Sequence, residues 1–358
     1  MAYDLIQVGT GGRGGVWCGN ILPPCVDAGL VNVVAAVDVD PDALENAKEH
    51  LDLDGEDCYT NVETAFEEAD ADCCTVVVLP EHHEAVVNAA IANDLHVLSE
   101  KPIADTLAAS VRIATKIEAA GLKMGVTMSH RFREDVTTLR RAIRSAEYGP
   151  VDYLVGRYSI AARDYGEWGR GRLYEMERHP LLVDGAVHHL DILADLAGAN
   201  CETIAARSWN PEWSDFVGEA NALVLMGFEN GRQATYEGTN TVARGTNNWL
   251  NEYVRAECRD ATLVLDQHEL TAFPYEEGGP SVGGEGETVP LEERPRWSDE
   301  WLVEQFVEWL DGGGPMATNV RDNLQSVAMV EAAIQSAEND ETVHVQELLR
   351  SMEEQIDL

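Results

Sequence analysis

Glu100-Lys101-Pro102 follow the apolar run Leu95 to Leu98, which places an ionisable pair at the carboxyl end of a predicted strand, where open α/β sheets bind ligands. A lysine there can hold a hydroxyl or carbonyl oxygen; the alternative is a solvated side chain beside a turn proline. The chain has only four lysines, Lys48, Lys101, Lys116 and Lys123, and an ammonium can exchange a proton where a guanidinium cannot. Near the start, Gly9-Thr10-Gly11-Gly12-Arg13-Gly14 has the spacing G-x-G-x-x-G directly after the strand pattern Leu5 to Val8. A second strand pattern, Val31 to Val37, ends in Asp38, about where a ribose-binding acid belongs. Gly9 permits a tight turn, Gly11 lets the backbone approach a pyrophosphate, and Gly14 lets a helix pack closely. Asp38 would accept hydrogen bonds from the adenosine ribose diol and repel a 2'-phosphate, which favours NAD, while Arg13 keeps NADP as the alternative.

Two histidine clusters add to this set. Pro80-Glu81-His82-His83 close the apolar run Cys73 to Leu79; the pair can touch nicotinamide or substrate, or equally form the first turn of a helix to Asn93. Asp184, His188 and Asp191 are spaced by four and seven, so on a regular helix after Pro180 they share one stripe, with His189 about 100° away. An aspartate one turn before a histidine can fix its tautomer and stabilise the imidazolium, as a general base needs; the alternative is a helix-cap aspartate and a core histidine. No HExxH-type set is present and no metal site is expected.

The elements that would position these residues alternate regularly. Strands at 5–8, 31–37, near Tyr59, 73–79, 95–98 and 124–128 interleave with helices at 41–50, 62–69, up to 93, and 108–120, a doubly wound α/β sheet over residues 1–128. From 129 to 358 the pattern changes to a helix at 136–145 and alternating strands at 151–160, 203–208, 222–228, 233–239, 252–258 and 261–265. This predicts an α+β domain with a largely antiparallel sheet. Glu229-Asn230-Gly231-Arg232 is a hairpin signal, 275–296 reads as a long loop, and 301–310 and 320–337 read as closing helices.

Acids outnumber bases 64 to 25, for a net charge of -39, a field that repels nucleic acid and anionic lipid. The acids are spread along the chain and lysine is scarce, which reads as a surface adapted to high salt and a halophilic source, not as an acidic binding module. Seven cysteines without a Cys-x-x-Cys pair predict a reducing compartment. The opening Met-Ala-Tyr-Asp enters a strand at once, and no apolar run approaches membrane-spanning length, so a cytoplasmic protein is expected.

The glycine stretch, Asp38, Glu100-Lys101-Pro102, Arg131-Phe132, Asp184 to Asp191 and Ala333-Ile334-Gln335-Ser336-Ala337 together resemble the Gfo/Idh/MocA oxidoreductases, glucose-fructose oxidoreductase, inositol dehydrogenase and relatives. The resemblance spans essentially the whole chain. It implies an N-terminal Rossmann domain with NAD(P) held by Gly9, Gly11, Gly12, Arg13, Gly14, Asp38, Pro80, His83, Glu100 and Lys101. It also implies a Lys-Asp-His site at Lys101, Asp184 and His188, and a homodimer or homotetramer built through the C-terminal open sheet. Members commonly carry a histidine where this chain has Glu84. The implied activity is hydride transfer between nicotinamide and a hydroxyl carbon of a sugar, polyol or sugar acid. The same motifs fit a hydrolase or epimerase that uses NAD transiently, or a sensor that binds without turnover. Arg131, Arg163, Arg170, Arg172 and His189 are candidate substrate contacts. Arginine density at 157–178 favours an acidic sugar or sugar phosphate, unless these side chains pair with neighbouring acids such as Asp164 and Glu175.

Overall fold

The computed structural model describes residues 2–145, 147–165, 171–279 and 284–356. They form two compact units: Met1–Ser129 with Arg296–Val327 and Met352–Leu358, and His130–Pro295 with Ala328–Ser351. The later part of the chain is therefore not one contiguous domain from 129 to 358. The reason is local: helix Ser298–Leu310 buries the stripe Leu302, Val303, Phe306 and Val307 and packs on helix Leu22–Asp27 of the first unit. Lys123 Nζ donates to Trp309 O over 2.5 Å, and Val126 N–H donates to Thr318 O over 2.9 Å, tying the returning segment to the sixth strand.

In the first unit, strands β1 (Tyr3–Val8), β2 (Val31–Val37), β3 (Cys58–Tyr59), β4 (Cys73–Val76), β5 (His96–Ser99) and β6 (Met124–Val126) make one parallel sheet of order β3-β2-β1-β4-β5-β6. Strand β4 is buried at every position, the mark of a sheet covered on both faces. Crossover helices start where short polar side chains accept a backbone N–H: Asp40 from Asp42, Asn61 from Thr64 and Thr106 from Ala109. The helix after the glycine loop is not regular. It runs α over Arg13–Val16, widens to a π-helix over Trp17–Ile21, and resumes α over Leu22–Asp27. Pro23 and Pro24 lack the N–H that would continue i to i−4 bonding, so the turn before them is free to widen.

The second unit holds β7 (Val151–Ser159), β8 (Cys201–Trp209), β9 (Asn221–Phe228), β10 (Gln233–Thr239), β11 (Tyr253–Cys258), β12 (Ala261–Asp266), β13 (Glu269–Pro274), β14 (Glu287–Thr288) and β15 (Val343–His344). Their order is β14-β13-β12-β11-β7-β10-β9-β8-β15, antiparallel except for the parallel pair β7 and β10. Alternate residues (Leu154, Val224, Met226, Tyr236, Val254 and Ala256) are buried on one face, and helix Val187–Ala197 packs there against β7 and β10. The other face leaves Leu223 and Leu225 half-exposed.

The hairpin expected at Glu229 to Arg232 is formed, with Gly231 at φ 84 and its N–H donating to Phe228 O. Strand β13 has no turn signal before it in the sequence, because Gln267 and His268, at φ 49 and 62, make a turn that needs two positive φ values without the Asn-Gly signature. Strand β14 interrupts the loop expected at 275–296, and helix Val345–Ile356 follows β15 where no element was expected.

Candidate functional site

The first unit builds a backbone cradle. Gly9 sits at φ 86, and a Cβ there would lie 2.1 Å from Val77 O; a Cβ at Gly14 would lie 2.1 Å from Gly9 O. Only glycine lets the strand, the loop and the following helix approach so closely. Gly12, at φ 51, has open space where a Cβ would be, so its backbone can meet a ligand directly. Asp38 Oδ2 accepts the Thr10 and Gly11 N–H groups at 2.7 and 3.0 Å, and Oδ1 accepts from Asp40 at 3.0 Å. Burial alone would raise the pKa of this carboxyl, but the three N–H donors outweigh it and hold the group below its ordinary value. A glycine cradle closed by an ionised acid at the end of β2 fits the adenosine pyrophosphate half of a dinucleotide.

Arg13 is engaged by acids. Its Nε donates to Glu100 Oε1 over 2.7 Å and one Nη to Asp299 Oδ2 over 2.7 Å. Trp17, on the widened turn, adds an indole N–H to Glu100 Oε1 at 3.0 Å. Burial pushes both carboxyls up. Arg13 and Trp17 reverse this for Glu100, whereas Asp299 is raised to about 6 by burial and the nearby Glu100 charge. Lys101 follows β5 half-buried, with its N–H donating to Glu100 Oε2 at 3.1 Å. Pro80 opens helix Pro80–Ala92, whose first turn exposes His82 and buries His83 completely. The His83 ring nitrogens lie 3.2 Å from Ile103 O and 3.1 Å from Val78 O, and burial lowers its pKa. Glu84 forms a fork with Arg112 at 2.8 and 2.6 Å.

In the second unit the helix after Pro180 departs from the expected regular form. It is a π-helix over Leu181–Ala186 and becomes α only from Val187. The wider turn changes the rotation per residue between Leu181 and Ala186 without carrying Asp184 off the side of the helix on which His188 stands, because two residues at the π pitch and two at the α pitch still add up to about one turn. Asp184 borders a small cavity lined also by Tyr158 and Asn240. His188 is buried, its ring stacked on His130 at 3.9 Å between centroids and 7° between planes, with Trp249 edge-on at 5.5 Å. Asp191 accepts a fork from Arg131 at 2.7 and 2.5 Å, and Asp195 lies 3.8 Å from the same guanidinium.

His189 Nδ1 is 2.7 Å from the Tyr236 hydroxyl and its Nε2 is 3.3 Å from Glu252 Oε1. Glu252 also bonds Arg133, and the burial of this knot is not legible in the sequence. His130, Tyr236 and the pair Trp249 and Glu252 come together from three separate segments with no motif spacing among them. Burial lowers the His130 pKa to about 4, so its ring is neutral. Of the expected substrate arginines, Arg163 lies 4.0 Å from Asp164, Arg172 is exposed on helix Gly171–Glu175, and Arg170 lies outside the described residues. Arg178 pairs with Glu338 at 2.9 Å.

Residues 7–128 match the sequence profile described as an oxidoreductase family, NAD-binding Rossmann fold, and residues 150–345 match its C-terminal alpha/beta domain. An uncharacterised protein of Sinorhizobium fredii, y4oX, is 48% identical over 98% of each chain. A D-apiose dehydrogenase of Rhizobium rhizogenes is 23% identical over 88% of this chain and 91% of its own. The crystal structure of an oxidoreductase from Agrobacterium radiobacter in complex with NAD+, L-tartaric acid and magnesium superposes with a TM-score of 0.80 at 21% identity, over 97% of this chain and all of the other. The glycine cradle, the acid at the end of β2 and the two-part architecture thus find their explanation in ancestry: the chain belongs to the Gfo/Idh/MocA oxidoreductase family, with an NAD-binding Rossmann domain at its N-terminus.

Proposed function

We propose that this NAD-dependent dehydrogenase oxidises a secondary or anomeric hydroxyl of a sugar, polyol or sugar acid. NAD held by the Gly9 to Gly14 cradle and Asp38 supplies the hydride acceptor. His188 takes the hydroxyl proton, Lys101 holds the same oxygen and stabilises charge developing on it, and Asp184 orients substrate or imidazole. The observation that carries this reading is Lys101 just past the carboxyl end of β5, the strand after β4, with the sheet order turning back between β1 and β4, where open α/β sheets take their ligands. A family relative with D-apiose dehydrogenase activity supports a carbohydrate substrate. NAD is the preferred form, because the ionised Asp38 at the end of β2 would repel a 2'-phosphate and Arg13 is already engaged by Glu100 and Asp299.

The purified protein is expected to reduce NAD with a member of a panel of sugars, polyols, aldonates and sugar phosphates. Lys101→Ala should lower kcat by about 10²-fold or more while NAD affinity stays within a few-fold. A variant as active as the parent removes Lys101 from the chemistry. Tightly held cofactor with no net NADH, despite a reacting sugar, selects a hydrolase or epimerase; NAD binding without any turnover selects a sensor. Activity on neutral sugars but not on acidic ones makes the arginines at 157–178 structural. We further infer a homodimer or homotetramer formed through the open sheet face, on which Leu223 and Leu225 are 49% and 51% exposed.

A further inference from the structure

Three buried ligand-type side chains that the proton-transfer scheme does not use meet in the second unit, next to His188, on whose ring His130 stacks. His130, His189 and Glu252 each offer one atom, and these atoms lie within 4.8 Å of one another. Glu252 Oε1 is 3.3 Å from His130 Nδ1 and 3.3 Å from His189 Nε2. All three side chains are 3 to 4% exposed. The His130 contact is at hydrogen-bonding distance but not at hydrogen-bonding angles, so Nδ1 is a buried nitrogen with no hydrogen-bond partner, aimed at a carboxylate oxygen. A buried polar atom in that condition calls for an explanation.

A divalent cation supplies one. With ligand bonds of about 2.0–2.1 Å, the two 3.3 Å edges at Glu252 subtend roughly 105° at an ion, close to the tetrahedral angle, while the two imidazole nitrogens, within 4.8 Å of each other, close to about 3.3 Å on binding; two imidazoles with one carboxylate are a known zinc donor set that keeps a fourth position open. The outer partners also fit. His189 would ligate through Nε2 while its Nδ1–H donates to Tyr236 at 2.7 Å, which fixes the tautomer as second-sphere groups do. The other Glu252 oxygen is held by Arg133, and the Leu250 N–H donates to Oε1 at 3.0 Å, so the carboxylate is oriented from both sides. The His130 ring is fixed by stacking on His188 and by Trp249 edge-on at 4.6 Å. We propose that His130, His189 and Glu252 form a binding site for a divalent transition-metal ion of the zinc class, with one open coordination position. The alternative is a metal-free network in which His189 donates to Glu252.

The test loads the full-length protein with zinc chloride in high-salt buffer containing excess magnesium, which occupies surface carboxylates, then desalts it and measures metal by mass spectrometry. About one equivalent of zinc per chain is expected for the parent. His130→Gln and His189→Gln should lose it, and Tyr236→Phe should weaken binding by about 10–100-fold, the usual effect of removing a second-sphere partner. If the histidine variants fail to fold, cobalt titration of the parent decides: tetrahedral visible bands support the site and their absence overturns it. No retained zinc in the parent, or equal zinc in parent and folded histidine variants, overturns it as well.

Discussion

Asp38 and Asp299 are two carboxylates in one unit with opposite electrostatic fates, and both yield measurable consequences. Asp38 is held ionised by three backbone N–H groups, so its charge is present at any pH at which the enzyme is assayed. Asp38→Asn keeps an acceptor but removes the charge that opposes a 2'-phosphate. The ratio of NAD to NADP affinity should fall by about tenfold, equivalent to about 1.4 kcal/mol. Two titrations at low salt measure it, and equal affinities already in the parent would transfer control of this choice to a basic residue such as Arg13. Asp299 is different: burial and Glu100 raise it to about 6. Between the ordinary aspartate value and that point the folded protein holds a proton that the unfolded chain has released, so this group lowers stability progressively as pH rises through the window, and the deficit persists above it. Its size is on the order of 3 kcal/mol. Asp299→Asn retains an acceptor for Arg13 and should gain melting temperature over the parent from pH 4 to 6, with a constant advantage above. A variant less stable than the parent at pH 7 would show that the charged Arg13 pair is net stabilising.

At the level of elements, the helix Val187–Ala197 is buried nearly all round, which obliges its polar residues to find partners inside. Arg131, on the 3-10 turn Ser129–Phe132, provides one by clamping Asp191, and this fork sets how the turn meets the helix. Arg131→Met would leave Asp191 buried without its main countercharge, at a cost of roughly 3–5 kcal/mol, whereas Arg131→Met with Asp191→Leu should recover most of that loss. Chemical denaturation of both variants checks it. A single variant as stable as the parent would free Arg131 for the substrate role suggested by its place in the sequence.

For the whole molecule the dominant quantity is the net charge of -39. Self-repulsion of that size is relieved by screening, whose range falls from about 10 Å at 0.1 M to about 3 Å at 1 M salt. Melting temperature should therefore rise steadily with potassium chloride toward molar concentrations; a flat or falling profile would remove the high-salt reading of the surface. The same repulsion opposes self-association, so the proposed oligomer should also tighten with salt. Leu225→Glu, on the open face of β9, should shift the mass seen by light scattering at high salt toward the monomer, and an unchanged mass would relocate the interface. Among the described residues no helix is long and apolar enough to cross a membrane.

Local signals were sufficient wherever chemistry depends on neighbours in the chain. The helix-capping Asp40, Asn61 and Thr106 and the Asn-Gly hairpin at 229–232 are each decided by sterics and hydrogen bonds within a few residues, and the G-x-G-x-x-G spacing followed by Asp38 at the end of β2 is a motif legible in the chain although its contacts, such as Asp38 with Thr10, are tertiary. Tertiary structure alone decided the rest, because burial and charge pairing join residues that no spacing rule connects. It returned 296–327 to the first unit through the buried stripe of Ser298–Leu310, engaged Arg13 with Asp299 across 286 positions, and turned the first part of the helix after Pro180 into a π-helix. It also gathered His130, His189, Tyr236 and Glu252 from separate segments, since a buried carboxylate must draw its partners from whatever the packed core places beside it.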